Sequence, residues 1–284
     1  IDSRAFRLCR SLTEITIPAS TTYIAGDAFL YCTGLKSISV AEDNPAYMAQ
    51  NGFLLSKDGR MLVASANGNI ADIPQSVTEI GASAFAGRTD LTSATIPDSV
   101  TRIGASAFSG CSNLTNIVIP ASVAYIGDKA FLGCNGLANE DGFVIVRSVL
   151  YDYFGDGVDI AIPDNVTSIG ANAFDNCGSL TSMTMPNRVS SIGSSAFYNC
   201  GSLTNVTISE SVTSIGDSAF NNCGKLALAL LPMQLSGSVS KNNQFRNCAS
   251  NFKMVFYEGS LEEVEWVAVG FDANGGSVGT ASMD

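Results

Sequence analysis

A solenoid of stacked 23-residue rungs, rich in β-strand with short helical or 3₁₀ turns and carrying two β-hairpin inserts, is the fold this sequence predicts. Three observations carry the prediction. A segment A-F-x-x-C, or a close variant, returns with its phenylalanine at Phe6, Phe29, Phe85, Phe108, Phe131, Phe174, Phe197, Phe220 and Phe245. Where the chain is uninterrupted the copies lie 23 residues apart, with a last step of 25. Each copy follows an alternating apolar stretch of strand type. A fixed period in the twenties marks a chain whose rungs bury their apolar faces only by stacking on one another.

The rung from Leu114 to Cys134 shows what each position is for. Ile117 and Ile119 alternate with polar residues, so they point inward from a strand, and Pro120 ends the ladder because it lacks an amide donor. A second short extended piece, V-x-x-I, contains Val123 and Ile126. Gly104, Gly127, Gly170, Gly193 and Gly216 follow its isoleucine, where a left-handed turn or a close backbone approach favours glycine. The A-F-x-x-C piece reads as one helical or 3₁₀ turn that places phenylalanine as the plug of the layer. The residue before the cysteine is Asn176, Asn199, Asn222, Asn247, Gly110 or Gly133, which suits a positive-φ stop.

Composition narrows the chemistry. The chain has 284 residues, 46% of them hydrophobic, which is ample for a buried core. A net charge of −11 disfavours nucleic acid and anionic lipid as partners. No apolar run approaches the length of a membrane span, and the first residues lack the charged-then-apolar order of a signal peptide. There is no histidine, so Ser/His/Asp and Cys/His catalysis and His-containing zinc sites drop out. Ile1 aligns with the isoleucine that precedes the recurring glycine. The first rung therefore lacks its strand, and fraying or weak self-association of an otherwise monomeric chain is expected at that end.

Two spacings are long, from Phe29 to Phe85 and from Phe131 to Phe174. The extra residues, about 41–73 and 139–160, read as β-hairpins turning at Lys57-Asp58-Gly59 and at Arg147-Ser148. The solenoid is expected over 1–258. Residues 259–268 read as a cap, with a capping box from Ser260 to Glu263 and Trp266 laid over the last rung.

The stretches "LTNIVIPASVAYIGDKAFLGC" and "LTNVTISESVTSIGDSAFNNC" resemble the BspA-like leucine-rich repeats of bacterial surface proteins. The resemblance covers about residues 1–258 and implies a leucine-rich-repeat horseshoe, secreted and exposed at the cell surface or cell wall. It implies adhesion or binding, and it brings no active-site motif. The final "VGFDANGGSVGTASMD", 269–284, resembles the start of an internalin-type B repeat, a wall-associated module.

The eight cysteines (Cys9, Cys32, Cys111, Cys134, Cys177, Cys200, Cys223 and Cys248) share one repeat position, and Arg88 takes that slot once. Stacked side chains with parallel Cβ vectors favour packing as small hydrophobes, with disulfides between some rungs as the alternative. No C-x-x-C pair suggests zinc. Asp152, Asp156 and Asp159 lack the ligand spacing of a calcium loop, and Glu262, Glu263 and Glu265 read as a solvated face. No catalytic residue, metal or cofactor is assigned.

Outward positions of the main strand, such as Thr16, Ser39, Thr184 and Thr207, are small and hydroxylic. Candidate ligand-binding residues therefore come from the inserts: Tyr47, Phe53, Arg60, Arg147, Tyr151, Tyr153 and Phe154. Packing against the solenoid side is their other reading. Leu228 and Leu230 form a competing apolar patch. The expected function is non-catalytic binding of a host or neighbouring-cell protein or glycan, the alternative being a spacer that holds other modules off the wall.

Overall fold

The computed structural model describes residues 1–66 and 73–258. The expected cap with Trp266 and the segment 269–284 lie outside the described residues, as do positions 67–72 of the first insert. Among the described residues the fold is a β-solenoid of about 10 turns with almost no helix. It divides into two compact units, Ile1–Val144 and Ile145–Asp284.

Each rung has three sides. The alternating apolar residues form the first side, a parallel ladder that pairs Glu14–Ile17 with Ser37–Val40 and Ser93–Thr95 with Asn116–Val118. In the second unit the same ladder joins Asn205–Thr207, Leu228–Pro232 and Lys253–Tyr257. The V-x-x-I pieces form the second side: Glu79–Ile80, Arg102–Ile103 and Tyr125–Ile126 in one unit, Ser168–Ile169, Ser191–Ile192 and Ser214–Ile215 in the other. Ile96 donates the last ladder bond to Val118, and Pro97 then opens a turn closed by Val100. The proline thus ends the strand as its missing donor requires.

The third side differs from the expected helical turn. It is a run of β-turns whose amides point alternately inward and to the next rung. Ala86 N–H bonds within the rung to Ser83 O at 3.0 Å, whereas Phe85 N–H reaches Ala107 O at 2.8 Å and Gly87 N–H reaches Ser109 O at 2.7 Å. The alternation needs two left-handed residues per rung. One is the expected Asn or Gly before the cysteine, with φ of 60° at Asn199 and 74° at Gly110. The other lies four residues earlier, with φ of 56° at Ser195 and 55° at Ser106. A 3₁₀ turn would keep every amide inside its rung and leave this side of the stack without cross-links. The described 3₁₀ pieces, Asn135–Leu137 and Met233–Leu235, sit elsewhere.

The glycine after the V-x-x-I isoleucine answers to close approach, since a Cβ on Gly127 or Gly193 would lie 2.5 Å from the Ala105 or Ala171 nitrogen. Phenylalanines stack along the core, as in Phe85–Phe108 (5.1 Å, 2°) and Phe197–Phe220 (4.9 Å, 3°). The first insert is a three-stranded meander, Tyr47–Gln50, Phe53–Ser56 and Met61–Ser65, where a single hairpin was expected. Its unforeseen first turn is Asn51-Gly52, with φ of 55° and 81°, the backbone that Asn-Gly accepts at least cost. The second insert is a hairpin, Phe143–Val146 and Val149–Tyr153, turning at Arg147-Ser148 as expected with both φ positive.

Arg88, in the cysteine slot, is 5% exposed. The rung before it is the meander, which offers no turn for a thiol to contact. The guanidinium bridges the gap instead, donating to Leu35 O at 2.9 Å, Thr33 O at 2.7 Å and Ser65 O at 3.3 Å, with Asp90 3.4 Å from its Nε. Arg88→Cys would restore the repeat pattern and yet destabilise the chain, by about 3 kcal/mol or more, because several buried carbonyls lose their donor. Urea denaturation of the two chains measures the difference; equal midpoints would show that Arg88 only fills space.

Candidate functional site

The cysteine ladder is the first place to look for chemistry, and its geometry is that of packing. None of the eight cysteines is in a disulfide. The thiol of Cys111 donates to Phe85 O at 3.1 Å, Cys134 to Phe108 O at 3.1 Å, Cys200 to Phe174 O at 3.2 Å and Cys223 to Phe197 O at 3.2 Å. Each of these four thiols, all buried, therefore meets a carbonyl of the preceding rung. Burial pushes the thiols of Cys111 and Cys177 up to about 12. A hydrogen bond with Cys223 and then burial raise Cys200. A nucleophile or metal ligand needs the thiolate, which these surroundings disfavour.

Two carboxylates of the second insert, Asp152 and Asp159, accept hydrogen bonds from their neighbours. Asp159 accepts Thr181 Oγ1 at 2.7 Å and Ser182 Oγ at 2.6 Å, and those bonds lower its pKa. Among the described residues no three Cys, Asp or Glu side chains come together as a metal site.

The structure separates the seven candidate binding residues. Phe53, Tyr151 and Tyr153 are buried, as the packing reading of the insert aromatics has it and not as a role in ligand binding would require. Phe53 packs edge-on against Phe85 at 6.1 Å, and Tyr153 lies over Phe174 at 5.3 Å. Both fill the phenylalanine column in a rung that lacks the A-F turn. Tyr47 is half-buried, and its hydroxyl accepts the Ile24 amide at 2.8 Å. Arg60, Arg147 and Phe154 are exposed. Arg147 and Phe154 flank one strand of the second unit's hairpin, at opposite ends, whereas Arg60 belongs to the first unit.

Arg60 leads to a surface that the sequence reading passed over. The next residue, Met61, begins the strand that pairs with Glu79–Ile80, and the register places Met61, Glu79, Arg102 and Tyr125 side by side on successive strands. Met61 is 37% exposed and Tyr125 46%. Arg102 Nε stands 3.2 Å from Glu79 Oε1, and its guanidinium carbon lies 4.1 Å from the Tyr125 ring centroid. The corresponding column of the second unit reads Ser168, Ser191 and Ser214. The signal was available, since the residue before each V-x-x-I isoleucine can be compared from copy to copy.

The sequence profile of the BspA type leucine rich repeat region matches six copies, over residues 1–57, 62–141 and 145–268. This chain belongs to the BspA-type leucine-rich repeat family. No curated protein matches the sequence. Among solved structures it is similar to a leucine-rich repeat protein from Eubacterium ventriosum, at 27% identity over 75% of this chain and 59% of that one, with a TM-score of 0.48. A leucine rich cell surface protein from Faecalibacterium prausnitzii is 25% identical over 88% of this chain and 80% of that one, with a TM-score of 0.45. The pneumococcal vaccine antigen PcpA is 20% identical over 86% and 56%, also with a TM-score of 0.45. The chain spans 59% of the first of these proteins and 56% of the third.

This BspA-type chain also has an open cleft of about 370 Å³ in its second unit, with Asn187, Glu210, Pro232, Gln234, Tyr257 and Glu258 in its walls. Glu210 and Glu258 are exposed, and the Tyr257 hydroxyl is spent on Ile208 O at 2.6 Å. Solvated carboxylates with no buried partner do not make an acid–base pair.

The raised thiols favour the protonated fold, so that part of the stability is complete below the ordinary thiol value of 9.0 and is lost as the pH rises towards about 12. A thiol reagent at neutral pH should consume exposed Cys9 quickly and the buried thiols only after denaturation; rapid reaction of Cys111 or Cys200 in the native chain would contradict it. Separately, Phe53→Ala and Tyr153→Ala should each cost about 3–5 kcal/mol in urea unfolding, whereas Phe154→Ala should change it by about 0.5 kcal/mol or less.

Proposed function

We propose that this chain is a non-catalytic binding module of a bacterial surface protein, outside the cell, which takes a protein or glycan of a host or neighbouring cell. Membership of the BspA-type family supports the surface location and the adhesive role. The observation that carries the reading is the column Met61, Glu79, Arg102 and Tyr125. It places an apolar, an acidic, a basic and an aromatic residue on neighbouring strands of an exposed face. Tyrosine and arginine concentrate binding energy at protein surfaces, and a scaffold that only held other modules apart would have no use for them there.

The spacer reading has its own support in the second unit. Ser168 and Ser191 bond to each other at 2.7 Å on one side of the rungs and Ser182 bonds to Asp159 at 2.6 Å on another, so polar groups on both sides are spent within the chain. The two roles fit one chain if the first unit binds and the second extends. The test is to present the immobilised chain with arrays of matrix proteins and glycans. Saturable binding of at least one of them is expected; its absence throughout would leave the spacer.

A further inference from the structure

The exposed face of the first unit carries more than a location for binding, because its geometry selects among partners. Arg102 is fixed on two sides, by the ion pair with Glu79 and by the Tyr125 ring beneath it. Neither contact uses the two terminal amino groups, and among the described residues nothing accepts a hydrogen bond from them. A guanidinium so held presents its outer N–H edge in a fixed plane, the arrangement that a carboxylate meets with two parallel hydrogen bonds. Holding it also removes most of the ordering cost of an arginine side chain on association.

The neighbours decide what stands behind that carboxylate. Met61 offers a flexible apolar contact at one end of the column and the edge of Tyr125 another, with Arg60 beside Met61 as a second exposed guanidinium. A sugar would need a free aromatic face and hydroxyl or amide donors turned outward. Here Arg102 occupies one face of the Tyr125 ring. The nearby hydroxyls are turned to the backbone, Thr101 Oγ1 to Thr78 O at 3.2 Å and Thr78 Oγ1 to Arg60 O at 3.4 Å. Charge complementarity and the apolar flanks therefore favour polypeptide over glycan. We infer that the Met61–Glu79–Arg102–Tyr125 face binds a partner protein through an acidic side chain flanked by apolar ones, with the carboxylate on Arg102. This rests on the binding-module reading and goes further by naming the surface and the chemistry of its partner.

The experiment selects random dodecapeptides displayed on phage against the immobilised full chain, then titrates the enriched peptides against wild-type, Arg102→Gln, Arg102→Lys, Tyr125→Ala and Thr184→Ala chains of unchanged circular dichroism. Enrichment of Asp or Glu next to apolar residues is expected. Arg102→Gln and Tyr125→Ala should each weaken binding by about tenfold or more, and Thr184→Ala should not. Arg102→Lys should also weaken it, because lysine keeps the charge and loses the planar fork. Added salt should lower the affinity for the wild type. Peptides without a carboxylate, or peptides that bind Arg102→Gln as well as wild type, would overturn the inference while leaving the chain a binding module. Arg102-dependent binding to a glycan array with no peptide enriched would overturn the choice of protein. Failure of every peptide, matrix protein and glycan would remove both readings.

Discussion

Everything in this structure depends on one backbone constraint, a register between rungs of one sequence period. Hydrogen bonds on all three sides hold it: Glu79 lies opposite Arg102 in one ladder, Ser93 opposite Asn116 in another, and Phe108 N–H meets Ala130 O at 2.9 Å in the turns. Parallel strands stand about 4.8 Å apart, so every side chain rests on its own copy at nearly that distance. A residue type then persists in a column only if it tolerates its own company. Phenylalanine does so by offset stacking, at 4.8 Å and 7° between Phe174 and Phe197. Asparagine does so through amide bonds, 2.7 Å from Asn199 to Asn176 and from Asn247 to Asn222. Cysteine does so because its thiol turns to the rung below. Like charges cannot, and in the exposed charged column Glu79 is followed by Arg102.

The same constraint explains what happens where the period breaks. A rung built from a hairpin has no A-F turn, yet the columns on either side of it must still be filled. Phe53 and Tyr153 supply the missing ring from a strand, at angles of 72° and 41° to the neighbouring phenylalanine in place of the near-parallel stack. Arg88 supplies a missing cross-link by spanning to carbonyls of the rung beyond the insert. The second repair uses a side chain much larger than the cysteine that a simple continuation of the pattern would place there.

These repairs mark the limit of what the sequence reveals. The period, both ladders, the role of proline and the left-handed Asn or Gly before the cysteine are legible because each copy repeats the same physical demand. The second left-handed column is not, since serine at Ser83, Ser106 and Ser195 has no strong preference for that conformation. The insert aromatics stay open between packing and binding for a different reason. In the strand Phe53–Ser56 three successive residues are buried, so no alternation tells inward from outward. Tyr153 falls off the 23-residue phase, and a search by period passes over it. Arg102 and Tyr125 lie on the phase and are visible in the sequence, but variation at one repeat position is hard to tell from drift until the register sets the residues side by side.

A repeat surface is available to a partner only to the extent that its polar groups are not already engaged with one another. Parts of the main strand face and of the serine column of the second unit are engaged in this way: Thr16 Oγ1 bonds to Ser39 Oγ at 2.8 Å, Ser168 Oγ to Ser191 Oγ at 2.7 Å, and Thr204 Oγ1 to Thr181 O at 3.3 Å. A ligand on such a surface would exchange one set of hydrogen bonds for another at little net gain. The column of Met61, Glu79, Arg102 and Tyr125 differs because its members are unlike. Its contacts orient the side chains without using up the guanidinium edge, the thioether or the ring edge. Uniform columns give this fold its stability, and a mixed column retains the unspent interactions from which recognition can be built.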